Sequence, residues 1–304
     1  MCAQETDTQS DVQITSRYAR ALDLIRRSAQ SRLALTGLII VAALVVVAVF
    51  ADFIAPHSPT QQYHDLVRHP PSLDPLHPFG TDQYGRDVFS RVVYGSRYAL
   101  FLGILIVTIQ MVVGVTLGLI AGYYKDSYTE GAIMRLVDIS LSIPDIVLAL
   151  AIAGVLGGGL VPLIIAVSVV GWRGFARLVR GDVRSIMEDD YVRAAQLSGV
   201  SDLSIMVRHV LPNAIDSVIV YATLNIPTVI LYAAGLSFLG LGVHPPTPEW
   251  GALIADGRGD LQQAWWISTF PGLAIMATVI GFNVIGDGLR EAVDPRQAQI
   301  GNSD

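Results

Sequence analysis

Residues 98–124 read YALFLGILIVTIQMVVGVTLGLIAGYY, 27 positions among which Gln110 is the only strongly polar side chain. A helix needs about 20 predominantly apolar residues to cross the hydrocarbon core of a bilayer. This stretch exceeds that length and is apolar on every face, so it is predicted to span a membrane. Working outward, residues 33–50 carry no charge and stay apolar to Ala55. Residues 136–156 are apolar except for Asp138 and Asp145. Residues 160–179 are uncharged as far as Trp172 and then meet Arg173 and Arg177, which are expected to reach the interface. Residues 217–243 and 261–286 are free of charge. The expectation is an all-α polytopic membrane protein with six transmembrane helices, one preceding helix followed by a five-helix core.

Composition agrees. Of 304 residues, 52% are hydrophobic and 15% charged, against about 25% charged in soluble domains. Cys2 is the only cysteine, so no internal disulfide can form. The net charge of −6 has the wrong sign for binding nucleic acid. The first apolar run is too long for a signal-peptide core and lacks a small-x-small cleavage site, which favours an uncleaved first helix.

Loops beside the cytoplasm are enriched in Lys and Arg. With the N-terminus inside, 15 basic residues fall in inner segments and five in outer ones. Both termini are then expected to be cytoplasmic. The resulting partition is a tail at 1–32, a first transmembrane helix at 33–55, an extracytoplasmic loop at 56–97, a permease core at 98–290 with a cytoplasmic loop at 180–212, and a tail at 291–304.

Several chemistries are excluded or disfavoured. Lys125 is the only lysine, and it is followed by Asp126, so no G-x-x-x-x-G-K-[ST] phosphate loop exists and no H-E-x-x-H zinc motif occurs. Gly235-Leu236-Ser237-Phe238 faintly suggests an intramembrane serine protease, but no histidine lies in an apolar run to act as its base. No catalytic residue is expected. His57, His64, His69 and His77 crowd the first outer loop, interleaved with prolines at irregular spacing that no single helix could align. A solvated proline-rich loop is the expectation, with no metal site; a metal-capture loop is the alternative.

The 180–212 segment is too polar for lipid and too regular for a simple connector. Tyr191, Ala194, Ala195, Leu197 and then Leu203, Ile205, Met206, Val210 recur near helical spacing. Gly199 interrupts them, and Ser201-Asp202 suits an N-cap. Pro212 stands where a following span starts, a position that tolerates its missing N–H. The reading is two amphipathic helices around a glycine turn. Periodicity leaves two uses for their apolar faces: packing on the protein's own spans, or docking of a soluble partner.

Ala194-Ala195-x3-Gly199-x11-Leu211-Pro212 resembles the cytoplasmic loop signature of binding-protein-dependent ABC importer permeases. Other stretches resemble one branch, the second permease subunit of dipeptide/oligopeptide importers. They include Gly80-Thr81-Asp82-Gln83-Tyr84-Gly85-Arg86-Asp87, Met134-Arg135-Leu136-Val137-Asp138, Arg177-Leu178-Val179-Arg180, Arg208-His209-x-Leu211-Pro212-Asn213, Leu236-Ser237-Phe238-Leu239-Gly240-Leu241-Gly242, Pro245-Pro246-Thr247-Pro248-x-Trp250-Gly251 and Gly286-Asp287-Gly288-Leu289-Arg290. The signatures run from about Arg32 to Arg296 in the family's order. Arg193 departs from the glutamate often found in the superfamily's loop, while His209 matches the peptide branch.

The resemblance implies a type I ABC importer core and half of a peptide translocation pathway. It implies a second, homologous permease subunit, two ATPase subunits and an extracytoplasmic binding protein as partners. ATP and magnesium would be bound by the ATPases, and this chain would hold no cofactor and hydrolyse nothing. A nickel or metal-chelate importer is the alternative within the class. The ATPase-coupling residues implied are Tyr191, Arg193, Ala194, Ala195, Gly199, Asp202, Arg208, His209, Leu211 and Pro212. Intramembrane polar residues are costly and face a bundle interior or a water-filled path, which makes Gln110, Asp145, Asn225 and Asn283 candidates for pathway lining. Asp138 is placed to pair with Arg135, three residues earlier on one helix face.

Overall fold

The computed structural model describes residues 32–72 and 76–293; the side chains of 32, 33, 292 and 293 are not described. The two tails lie almost wholly outside these residues. All regular structure among the described residues is helical, apart from one isolated bridge between Thr81 and Asp87.

The order is α1 (Arg32–Val49), α2 (Ala51–Ile54), α3 (Val88–Tyr123), α4 (Tyr128–Leu141), α5 (Asp145–Val155), α6 (Leu160–Ile186), α7 (Asp190–Leu197), α8 (Asp202–Ser204), α9 (Leu211–Phe238), α10 (Trp250–Gly257) and α11 (Trp266–Val293). A π-helical turn, Ile205–Val210, joins α8 to α9. Four segments are long and apolar enough to span a bilayer, namely Val88–Tyr123, Leu160–Ile186, Asp202–Phe238 and Trp266–Glu291. The α4–α5 pair makes a fifth if counted as one broken span, and Ala34–Val49 is a shorter apolar helix.

The 136–156 run is not one straight span. Proline disfavours helical backbone in the residue before it and lacks an N–H to continue the ladder. The helix accordingly stops at Leu141, restarts at Asp145 after Pro144, and turns through 91°. Hydropathy passes over such a break because the residues on both sides are apolar.

α3 starts at Val88, ten residues before the apolar run, because Asp87 caps it by accepting the Ser90 N–H at 2.7 Å. α3 and α6 form the tightest pair. Gly114, Gly118 and Gly122 recur every fourth residue along α3, and small residues at that spacing let helices approach closely. A Cβ at Gly118 would stand 2.6 Å from the Ala176 carbonyl oxygen, and one at Gly122 would stand 2.6 Å from Val183 Cβ. The main core forms around this contact, with Ile106, Leu163, Val167, Val170, Phe175, Val179 and Leu236 fully buried. α11 packs on α1 and α9; in the Gly286–Arg290 motif Gly286 faces Leu224 and Gly288 faces Ala34.

The Gly80–Asp87 motif is a fastening. Asp82 accepts from the backbone N–H of Tyr84 and Arg86 at 2.8 and 2.9 Å, from Arg86 Nε at 2.6 Å and from Arg91 Nη1 at 2.5 Å. Arg86 then reaches Asp256 on α10 at 3.1 Å. Trp250 of the Pro245–Gly251 motif is buried, donates to the Val92 carbonyl at 2.9 Å and stacks its ring over Gly95, where a Cβ would collide with it.

Candidate functional site

Two regions hold the candidate residues, one midway along the spans and one in the 180–212 loop.

Near the middle of the helices, α3, α4, α5, α6 and α9 enclose a cavity of about 120 Å³. Its polar lining is Gln110, Asp145, Arg173, Tyr221, Asn225, Thr228 and Tyr232. Gln110 is buried; its amide donates to the Val167 carbonyl at 2.8 Å and its oxygen accepts from Asn225 Nδ2 at 2.7 Å. These two residues thus both line the cavity and lock α3, α6 and α9 together. Asp145, in the first turn of α5, pairs with Arg173. Asn283 lies apart, exposed on α11.

Arg173 was expected at the interface and is instead buried halfway along the 27-residue α6. Its guanidinium bridges the broken helix: Nη1 donates to the Ser140 carbonyl at 2.5 Å and Nη2 to Asp145. One fork thereby supplies an orphan carbonyl at the end of α4 and the carboxylate at the start of α5. Nothing in the local sequence announces this, because the partners lie 33 and 28 residues away. Asp138 likewise pairs with Arg177 on α6 at 2.8 Å, rather than with Arg135.

In the inner loop, α7 ends as a Schellman motif. The Gly199 N–H meets the Gln196 carbonyl, the Val200 N–H meets the Ala195 carbonyl, and Gly199 adopts φ +74. The second predicted helix is not separate. Residues 202–210 run on into α9 as one continuous segment, and Pro212 stands in the first turn of α9 itself, as expected at a helix start. Its missing N–H is accommodated by the wider π turn just before it. The His209 carbonyl accepts from Asn213 Nδ2 at 2.6 Å and from the Tyr191 hydroxyl at 3.3 Å, which ties α7 to the start of α9. Burial, and the charge of Asp189, push the Tyr191 phenol above its ordinary pKa.

Asp202 is no N-cap. Neither it nor Ser201 makes a capping bond; Asp202 accepts from Tyr123 and Tyr124 at the end of α3. Val192, Ile205, Met206 and Val210 are buried in the main core, and Ala195 packs against it. The opposite face carries Leu197 at 90% exposure, Leu203 at 68%, with Val207, Tyr191, Arg193, Ala194 and Arg208 also exposed. Of the two uses left open by the periodicity, one face packs on the protein's own spans and the other stays exposed. Leu197 and Leu203 were legible as helix periodicity; the structure adds that they lie on the exposed face and not on the one packed into the core.

The outer loop was expected to be solvated, but His77 is buried and His57 part-buried, each held by its neighbours, while His64 is exposed. His57 and His77 stack at 4.6 Å, His57 Nδ1 contacts the Tyr63 hydroxyl at 2.9 Å, and His77 Nδ1 contacts Asp87 at 3.0 Å. Among the described residues no group of three or more His, Cys, Asp or Glu is placed to hold a metal ion. Ser237 is buried with its hydroxyl accepting the Val243 N–H at 3.3 Å. Close by, burial pushes the Glu249 carboxyl above its ordinary range, against the pull of the Gly251 and Ala252 N–H groups it accepts.

A bundle of apolar spans around a polar cavity, with an apolar knob on one polar loop, defines a multi-pass membrane permease. Residues 114–299 match the family described as binding-protein-dependent transport system inner membrane component, and residues 22–71 match the N-terminal TM domain of oligopeptide transport permease C. The chain belongs to the first of these families and is the permease component of an ABC importer in the inner membrane. It is 42% identical to the di/tripeptide transport system permease protein DppC of Pseudomonas aeruginosa, over 88% of this chain and 89% of that one. It is 44% identical to the dipeptide transport system permease protein DppC of Alkalihalophilus pseudofirmus (88% and 87% covered). It is 43% identical to the glutathione transport system permease protein GsiD of Escherichia coli (89% of each). Among solved structures, a chain of the inward-facing MetNI methionine ABC transporter shares the fold, with a TM-score of 0.54 at 19% identity over 68% of this chain and 98% of that one.

Proposed function

We propose that this permease subunit carries short peptides inward as one half of an ATP-driven pathway. One observation carries the reading: relatives named for dipeptides, tripeptides and glutathione match it at 42–44% identity over nearly nine-tenths of its length. Its six spans are α1, α3, the broken α4–α5 unit, α6, α9 and α11, with both termini cytoplasmic. The Lys/Arg asymmetry supports this orientation, and moving Arg173 out of the inner count still leaves 14 against five.

A second, homologous permease subunit completes the pathway, an extracytoplasmic binding protein delivers cargo, and two ATPase subunits hold ATP and magnesium. This chain contributes no catalytic group, no cofactor and no metal site. Lipid covers the remaining apolar surface. The exposed face of α7 and α8 docks on an ATPase, and closure of the ATPase dimer pulls α9 through the π turn and α3 through Asp202. Gln110, Asp145 and Asn225 line the path, which opens to one side at a time.

The test is ATP-driven uptake of labelled dialanine by the complete complex in proteoliposomes, with a nickel–histidine chelate as the competing cargo. Dialanine uptake supports the peptide reading, and uptake of the chelate alone overturns it.

A further inference from the structure

The mid-span cavity presents its two charged groups unequally. Arg173 has only 3% of its side chain exposed and is committed to Ser140 and Asp145. Asp145 has 41% exposed. Two carboxylate oxygens can accept about four hydrogen bonds; Arg173 takes one oxygen, and Tyr232 is within hydrogen-bonding reach of the same group. Gln110 and Asn225 are occupied with each other. Of the two charged groups that line the cavity, the carboxylate is thus the more exposed, and the guanidinium is the one committed to two partners.

We propose that Asp145 is a transient subsite for the primary ammonium group at the N-terminus of the passing cargo. This rests on the peptide reading given above. A cavity of about 120 Å³ takes an ammonium and its first few carbons, not a whole dipeptide, so the site handles one end of the molecule. The Arg173 pairing keeps the attraction weak, as passage demands: a site along a conduction path must bind well enough to admit and loosely enough to release. Tyr221, Thr228 and Tyr232 supply hydroxyls around the same space, able to replace part of the ammonium's water.

The experiment compares wild type, Asp145→Asn and the double variant Asp145→Asn/Arg173→Gln in the complete reconstituted complex, measuring dialanine uptake and ATP hydrolysis stimulated by loaded binding protein. The double variant is included because Asp145→Asn alone strands a buried guanidinium and can fail to fold. At least a tenfold drop in uptake per ATP hydrolysed, with stimulated hydrolysis within twofold of wild type, is expected in the double variant and in the single one if it folds. Wild-type uptake by the double variant overturns the proposal. So does a parallel fall in uptake and hydrolysis, which marks the pair as a brace for the broken helix and nothing more. If wild type itself takes up no dialanine, the peptide reading fails first, visibly, and takes this inference with it.

Discussion

The Tyr123 hydroxyl donates to Asp202 at 2.7 Å, joining the last residue of α3 to the first residue of α8. Tyr124 approaches the same carboxylate at 3.4 Å. The loop that faces the ATPase in the proposed reading is thus pinned to a second span as well as to its own. Tyr123→Phe and Asp202→Ala are each expected to destabilise by about 1 kcal/mol, the usual net worth of such a bond. In a double-mutant cycle the two effects are expected to be non-additive. Full additivity in thermal unfolding of the detergent-purified permease would show that the bond does not form.

Arg173 and Asp145 are expected to tolerate loss unequally. Asp145→Asn leaves a buried guanidinium without its anion and is expected to cost about 3–5 kcal/mol. Arg173→Met leaves a half-exposed carboxylate that water can reach, and is expected to cost clearly less. Arg173→Lys is not a rescue, since an ammonium cannot fork between Ser140 and Asp145. Membrane abundance and thermal midpoints of the three variants check the order.

Gly118→Val is expected to be severe. Its new Cβ would meet the Ala176 carbonyl at 2.6 Å, and backbone cannot swing aside as a side chain does. Overpacking of this kind costs typically 1–3 kcal/mol or more. Gly131, with nothing within 4 Å of its Cβ position, is the control, where alanine is expected to leave thermal stability unchanged or slightly raised.

Glu249 gives a pH signature. Its folded carboxyl titrates above the ordinary value because it is buried. The folded state therefore binds the proton more tightly than the unfolded chain does. Stability is fully present below the unfolded pKa of about 4.3 and declines as pH rises through the raised folded value. Glu249→Gln keeps an oxygen for the α10 N–H groups and is expected to flatten that decline. An unchanged slope between pH 4 and 7 would contradict it.

What was legible in the sequence follows from what hydropathy and spacing can carry. The apolar runs located four helices long and apolar enough to span, and a fifth if the broken α4–α5 pair counts as one, because the bilayer demands apolar length. The αL turn at Gly199 was legible because few other residues adopt φ > 0 cheaply. The 91° turn after Leu141 was hidden inside an apolar run, and Arg173 bridges it through a partnership between residues far apart in sequence. The same limit hid the Asp138–Arg177 and Asp202–Tyr123 pairs, where the nearest plausible local role, an i+3 pair or an N-cap, was displaced by a neighbour from another helix. Pro212 suggested a helix start, and it does stand in the first turn of α9; what the sequence did not show is the π turn that joins α8 to it without a break.

The most direct measurement on the coupling role is ATP hydrolysis by the complete complex carrying Leu197→Asp and Leu203→Asp together. Both leucines are exposed in this subunit, so the fold and membrane abundance are expected to be unaffected. If the α7–α8 face docks on the ATPase, the ATPase subunits co-purify poorly and hydrolysis no longer rises when loaded binding protein is added. Wild-type co-purification together with wild-type stimulation would contradict the role assigned to this face.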